Sequence, residues 1–290
     1  MLGTKAIAAA VVLAVCAAGA DFNGARALES ARKAVALGPR PAGSAAIAKL
    51  QAMIKAELQA NGWQVSEDVF TAPTPVGRVT MRNIIGKLAG KSGRAVVFSG
   101  HYDTKAIPGV RFVGANDGGA STGWLLEMAR VLPSMPRKDD VMLVFFDGEE
   151  AFGEWSDTNG IYGSRHLAET WKRDGTLLKI KALFNVDMIG DKDLRVMDEL
   201  NSSAPLRRLL KATARETGYG AYFPEQAGAI EDDHMPFVRM GVNAIDLIDF
   251  DYGPGHSYWH TDKDTMDKLS AKSLQVVGEV LVEVFRRLQQ

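Results

Sequence analysis

Residues Val141–Trp155 read VMLVFFDGEEAFGEW, and the order of apolar and acidic residues there decides the fold. The unbroken apolar run Val141–Phe146 suits a strand buried on both faces, as in a parallel or mixed sheet. It stops at Asp147-Gly148-Glu149-Glu150, three carboxylates and a glycine where such a strand would end. In open α/β sheets, sites form in the crevice beyond the carboxyl ends of the strands. Adjacent glutamates there can point in different directions, so one can hold a metal while its neighbour moves protons. The competing reading is a solvated acidic turn, and what the other strands bring to the same edge separates the two.

Working outward, Phe22–Leu37 and Ser44–Asn61 carry helix-spaced apolar positions, separated by the helix-breaking Gly38-Pro39-Arg40-Pro41-Ala42-Gly43. Gly62 stands where a helix C-cap glycine would. Trp63–Phe70 and Arg78–Leu88 read as strands, and Ala95–Ser99 as a short buried one leading to Gly100-His101-Tyr102-Asp103. A long loop, Thr104–Gly119, precedes a helix over Ser121–Leu132. After the opening strand come a helix over Tyr162–Arg173, a strand over Lys181–Val186 ending at Asp187, and a helix over Ala204–Thr217. An irregular stretch then leads to Glu231-Asp232-Asp233-His234, followed by a strand over Ala244–Ile248 and an amphipathic helix over Ser270–Leu288. Strands and helices alternate, so the expected fold is a single α/β domain with a mixed, mostly parallel central sheet flanked by helices.

The polar residues at the strand ends suit a metal: His101 and Asp103, Glu149 and Glu150, Asp187, and one loop later His260, with Asp117 in the long loop. Each alone has a plain explanation, because Asp at a strand end is often a cap or turn former. A sheet nevertheless brings all these ends to one crevice. Imidazole with carboxylates and no sulfur is a donor set for zinc or a related divalent cation.

Composition narrows the classes further. The 290 residues are 46% hydrophobic and 24% charged, with 34 basic against 35 acidic residues and no basic block, which argues against a nucleic-acid partner. Lys5, an apolar stretch over residues 6–15 and a small-residue ending at Ala20 read as a secretory signal peptide, cleaved after Ala20. An uncleaved anchor and a lipoprotein cysteine at Cys16 are the alternatives, the second disfavoured by Val15. The expected organisation is therefore a signal over residues 1–20 and a catalytic domain over 21–290, secreted or periplasmic, with no membrane span after cleavage. Cys16 is the only cysteine, so the mature chain has neither thiolate catalysis nor a cysteine zinc site. Nothing in the sequence points to oligomerisation, and a monomer is expected.

Several segments resemble zinc-dependent glutaminyl-peptide cyclotransferases of the animal type, and more broadly the M28 zinc aminopeptidase clan. They are Gly100–Lys105, Phe145–Phe152, Tyr162–Leu167, Glu231–His234 and Trp259–Thr261. The resemblance implies an enzyme that converts N-terminal glutamine, and more slowly glutamate, of peptide or protein substrates into pyroglutamate. Carried over by position, it implies one zinc on Asp117, Glu150 and His260, with Glu149 as general acid/base. It further implies an acidic network of Asp187 and Asp232 beside Glu149, pocket walls at Trp155 and Trp259, and a cis peptide bond between Asp117 and Gly118. The chain departs from the cyclases at Asp246, where they usually carry histidine, a change expected to alter pocket polarity.

The rival within the clan is a two-zinc aminopeptidase, with a second zinc on His101 and Asp187 and with Asp117 as bridge; every one of those ligands is present. Asp232, Trp155 and Trp259 favour the cyclase, because they match its pattern and not the aminopeptidases'. A binding module that has lost catalysis would have lost the acid/base position, and Glu149 is intact. Trp124, Trp171 and His166 read as packing or structural residues. His234 either orients the neighbouring acids or caps a helix, and His256, in the loop Asp249–Tyr258, has no assignment.

Overall fold

A computed structural model describes residues 21–290; the signal-peptide reading concerns residues 1–20, which lie outside the described residues. The chain opens with helices α1 (Gly24–Val35) and α2 (Ala45–Ala60), then strands β1 (Gln64–Thr74), β2 (Gly77–Leu88) and β3 (Ala95–His101). Next come α3 (Gly119–Val131), β4 (Asp140–Phe146), α4 (Tyr162–Arg173) and β5 (Ile180–Asp187). The last third holds β6 (Asp198–Glu199), α5 (Ala204–Glu216), β7 (Ala227–Gly228), α6 (Met235–Arg239), β8 (Ala244–Ile248) and α7 (Ala271–Leu288). The first helix starts two residues later than its apolar spacing suggests, because the Asn23 side chain accepts from the Arg26 N–H and caps it there. At the other end of α2, left-handed Gly62 lets Trp63 N–H reach Leu58 O (3.1 Å) and Gly62 N–H reach Gln59 O (3.0 Å), a Schellman closure.

Six strands form one sheet in the order β1-β2-β4-β3-β5-β8. The β1–β2 hairpin and the β2–β4 pair are antiparallel, whereas β4, β3, β5 and β8 run parallel, so the sheet is mixed as expected. Strands β6 and β7 form a separate two-stranded pair, β6 before α5 and β7 after it in the stretch the sequence leaves irregular. Side chains alternate between two cores. Val96, Phe98, Leu143, Phe145 and Phe184 face the α1, α2, α3, α5 and α7 side, where Trp124 is buried against Phe22 and Phe98. Val97, Val144, Phe146 and Leu183 face α4 and α6, where Trp171 packs on Phe237. The four parallel strands all end at one edge, and every strand-end residue named from the sequence arrives there.

Candidate active site

Two elements fix the turn after β4. The Asp103 carboxylate accepts from the backbone N–H groups of Glu149 (3.1 Å) and Glu150 (3.3 Å), holding both glutamates at the sheet edge. Left-handed Gly148 lets the chain reverse there, and a side chain at that position would strike Met81. Asp147, the third carboxylate of the stretch, turns away: its Oδ2 accepts from Arg82 N–H (2.8 Å) and Gln51 Nε2 (3.3 Å). Adjacent acids thus serve opposite sides of the strand.

The loop carrying Asp117 is anchored from two sides. Asp264 accepts from Asn116 N–H (2.8 Å), Asp117 N–H (3.2 Å) and the Tyr252 hydroxyl (2.7 Å). The fully buried Arg40 donates to the carbonyls of Tyr102 (3.0 Å), Val113 (2.6 Å) and Gly114 (2.9 Å), tying the loop to the turn between α1 and α2. The sequence shows neither role, since both residues act on backbone atoms far along the chain. One expectation is corrected here: among the described residues no peptide bond is cis, and Asp117–Gly118 is trans. The turn into α3 is made instead by Gly118 at φ 80°, where a Cβ would press on Asp103 O at 2.4 Å.

With the loops so placed, one potential ligand atom from each of Asp117, Glu150 and His260 lies within 4.8 Å of the others. His260 Nε2 is 3.3 Å from Asp117 Oδ2 and 3.2 Å from Glu150 Oε2. Asp117 Oδ2 and Glu150 Oε1 are buried without a hydrogen bond. Buried carboxylate oxygens are costly unless paired, and an imidazole with two carboxylates is a divalent cation's donor set, so the residues fit a metal. Burial works against the charged imidazole of His260, but Asp117 and Glu150 outweigh it and hold its pKa up at about 9. A second group, His101, Asp117 and Asp187, shares Asp117; His101 Nε2 is 3.2 Å from Asp117 and 3.1 Å from Asp187.

Glu149 belongs to neither group. Its Oε2 lies 4.0 Å from His101 Nδ1. Burial pushes its pKa well above the carboxylate range; His101 opposes this, and the like charges of Glu150, Asp232 and Asp233 add to it. Burial likewise raises Asp187 to about 7 against the pull of His101, with Asp232 and Asp117 contributing. Asp232 is fixed by Asn185 Nδ2 (2.9 Å) and by the Asp233 N–H (2.5 Å). A third group, Asp232, His234 and Asp246, is buried behind it. His234 makes no side-chain cap bond and pairs with Glu199 (3.2 Å) instead. Asp246, expected in the pocket, is held by Asn185 Nδ2 (3.2 Å) and by Ser202, which its own N–H reaches, away from the cavity lining. His166 has the structural role expected, stacked on Phe70 and 2.9 Å from Asp68.

The acids face a cavity of about 490 Å³ whose walls include Trp155, Trp259, Phe250, Ile230 and Ile248, with Glu149, Asp187 and Asp232 among its polar lining. Trp155 lies on Gly160, where a Cβ would sit 2.4 Å from its ring, so only glycine admits the indole there. Lys105 is the one lysine or arginine in the lining; its Nζ donates to Ala151 O and stands 3.8 Å from Glu150. The arrangement is an acid-lined, aromatic-walled recess that holds the Asp117, Glu150 and His260 group, with a carboxyl whose pKa burial raises beside it.

Fold and site together define a metal-dependent peptidase-like enzyme: residues 83–285 match Peptidase family M28, and the chain belongs to that family. Its similarity extends to a glutaminyl-peptide cyclotransferase of Drosophila melanogaster, 34% identical over 252 residues, which are 78% of this chain and 70% of that protein. A crystal structure of Acidobacteriales bacterium glutaminyl cyclase superposes with a TM-score of 0.90 at 43% identity, covering 99% of each chain. A zinc-dependent exopeptidase from Parabacteroides distasonis superposes with a TM-score of 0.82 at 28% identity, over 92% of this chain and 99% of that one.

Proposed function

We propose that this chain is a glutaminyl-peptide cyclotransferase acting on peptides or proteins with N-terminal glutamine, and more slowly glutamate. One observation carries the reading: a carboxylate outside the metal group, Glu149, stands beside the Asp117, Glu150 and His260 group at the floor of a cavity walled by Trp155 and Trp259. The three ligands would hold one zinc, leaving a coordination position open. Zinc held there supplies Lewis-acid polarisation of a carbonyl group.

The chain's own residues do the rest. The substrate's α-nitrogen attacks its own side-chain carboxamide carbon; that C–N bond forms while the bond to the amide nitrogen breaks and ammonia leaves. Glu149 takes the proton from the attacking amine and returns it to the departing nitrogen. Its raised pKa suits an acid and base that must cycle near neutral pH, and the like charges of Glu150, Asp232 and Asp233 help to raise it. The reaction needs no water, so a pocket walled by Trp155 and Trp259 suits ring closure better than hydrolysis.

The His101, Asp117 and Asp187 group supports the second reading, a two-metal aminopeptidase. Ammonia release from a glutamine-terminated peptide, measured beside hydrolysis of leucine p-nitroanilide, separates the two. The cyclase reading expects turnover of the first only, lost on chelation and restored by zinc; hydrolysis of the second alone would overturn it. Residues 1–20 are read as an export signal, giving a secreted or periplasmic monomer. Among the described residues no helix is long and apolar enough to cross a membrane.

A further inference from the structure

His256 has no part in the chemistry above, yet its surroundings are unusual. Its ring lies 4.5 Å from Phe250 and 5.0 Å from Trp259 between centroids. Trp259 in turn lies nearly flat on His260, at 3.9 Å with 19° between planes, and Phe112 meets His260 edge-on at 5.5 Å. The rings form one continuous column from the Asp249–Tyr258 loop to a metal-group imidazole. Both nitrogens of His256 are buried without a hydrogen-bond partner, so ring contact holds this side chain in place. The backbone is strained at both ends of the column, with His256 at φ 63° and His260 at φ 53°, conformations that non-glycine residues seldom adopt. Strain of this kind persists where the surrounding structure demands a particular side-chain placement.

We propose that His256 is a positioning residue, pressing the Trp259 indole against His260 so that the pocket wall and the metal-group imidazole keep one fixed geometry. The inference rests on the cyclase reading, in which Trp259 walls the substrate pocket. It assigns His256 a packing role, so an aromatic ring of any charge should serve.

His256→Gly removes the ring and also relieves the strained backbone, whereas His256→Phe keeps a ring. The expected result for His256→Gly is a KM for a glutamine-terminated peptide raised about tenfold with kcat down less than about threefold, from lost aromatic pairs. His256→Phe should bring KM back to within about twofold of wild type. In a Trp259→Ala background, His256→Gly should add less than about twofold, because the indole it positions is gone. An unchanged KM in His256→Gly, multiplying effects in the double variant, or failure of His256→Phe to rescue would overturn the proposal. If the wild-type chain releases no ammonia from such peptides, the cyclase reading is what has failed, and the column is then read optically. Acrylamide quenching of Trp259 emission, isolated by difference against Trp259→Phe, should rise about twofold in His256→Gly as the indole loosens. Unchanged quenching would overturn it. Should His256→Gly not fold, His256→Leu, apolar but without a ring, takes its place in each comparison.

Discussion

Replacing Glu149 by glutamine isolates proton transfer from metal binding. The side chain is outside both metal groups, its Oε2 stands 4.0 Å from His101 Nδ1, and its backbone N–H is already held by Asp103. An amide of nearly the same volume should therefore leave Asp117, Glu150 and His260 in place. General acid–base catalysis contributes about 10²–10⁴, so kcat should fall by about 10³, or about 4 kcal/mol in activation free energy. Metal content, read by atomic absorption, should match wild type, and KM should stay within about threefold. The pH profile supplies an internal check, because the carboxylate is the competent base: wild-type kcat/KM should rise with pH through the raised Glu149 pKa, and the variant should lose that limb. Stability moves the opposite way. A carboxyl raised by folding binds protons in the native state that the unfolded chain has released, so in the metal-free protein it costs stability as pH climbs above the ordinary glutamate range. The metal-free Glu149→Gln protein should accordingly melt higher than metal-free wild type at neutral pH. Retention of more than about a tenth of wild-type kcat, or loss of the metal, would refute the division of labour between the two glutamates.

Two further predictions concern the supporting residues. Asp264→Ala deletes the acceptor of two buried backbone N–H groups and the Tyr252 hydroxyl; at about 1–3 kcal/mol for each of the three orphaned groups, a stability loss of about 3–9 kcal/mol is expected by chemical denaturation. Because it orients Asp117, its metal affinity should also drop about 10–100-fold in chelator competition. Burial alone would raise the Glu199 carboxyl, but His234, Ser202 and the Asn201 and Ile230 amides hold it down at about 2, against 4.5 ordinarily. Its contribution, at most about 3 kcal/mol, is present above pH 4.5 and lost as pH falls toward 2, so Glu199→Gln should destabilise the protein at pH 7 and converge with wild type in acid.

The division between what was readable and what was not follows the range of each interaction. Periodicity and strand ends are local: the apolar run Val141–Phe146, the Gly62 closure and the alternation of helix and strand each rest on residues within a turn or two of one another. Those features were enough for the α/β class, the mixed sheet and the edge at which His101, Asp117, Glu149, Glu150, Asp187 and His260 gather. Tertiary structure alone decided which acid of a run faces the cavity. Asp147, two residues before Glu149, is drawn to Arg82 and Gln51, partners 65 and 96 positions away. It decided also that Asp103, Asp264 and Arg40 serve as clamps, for the backbone atoms they hold are 46 to 148 residues off, and backbone atoms leave no mark in a sequence. The same holds for Asp246, which the resemblance to the cyclases suggests for the pocket and which Asn185 and Ser202 retain behind it. The pair after β4 was visible from its letters. Its separation into a carboxylate beside His260 and one standing free depends on a crevice that exists only when four strand ends and two distant loops are closed together, since side-chain direction is set by packing.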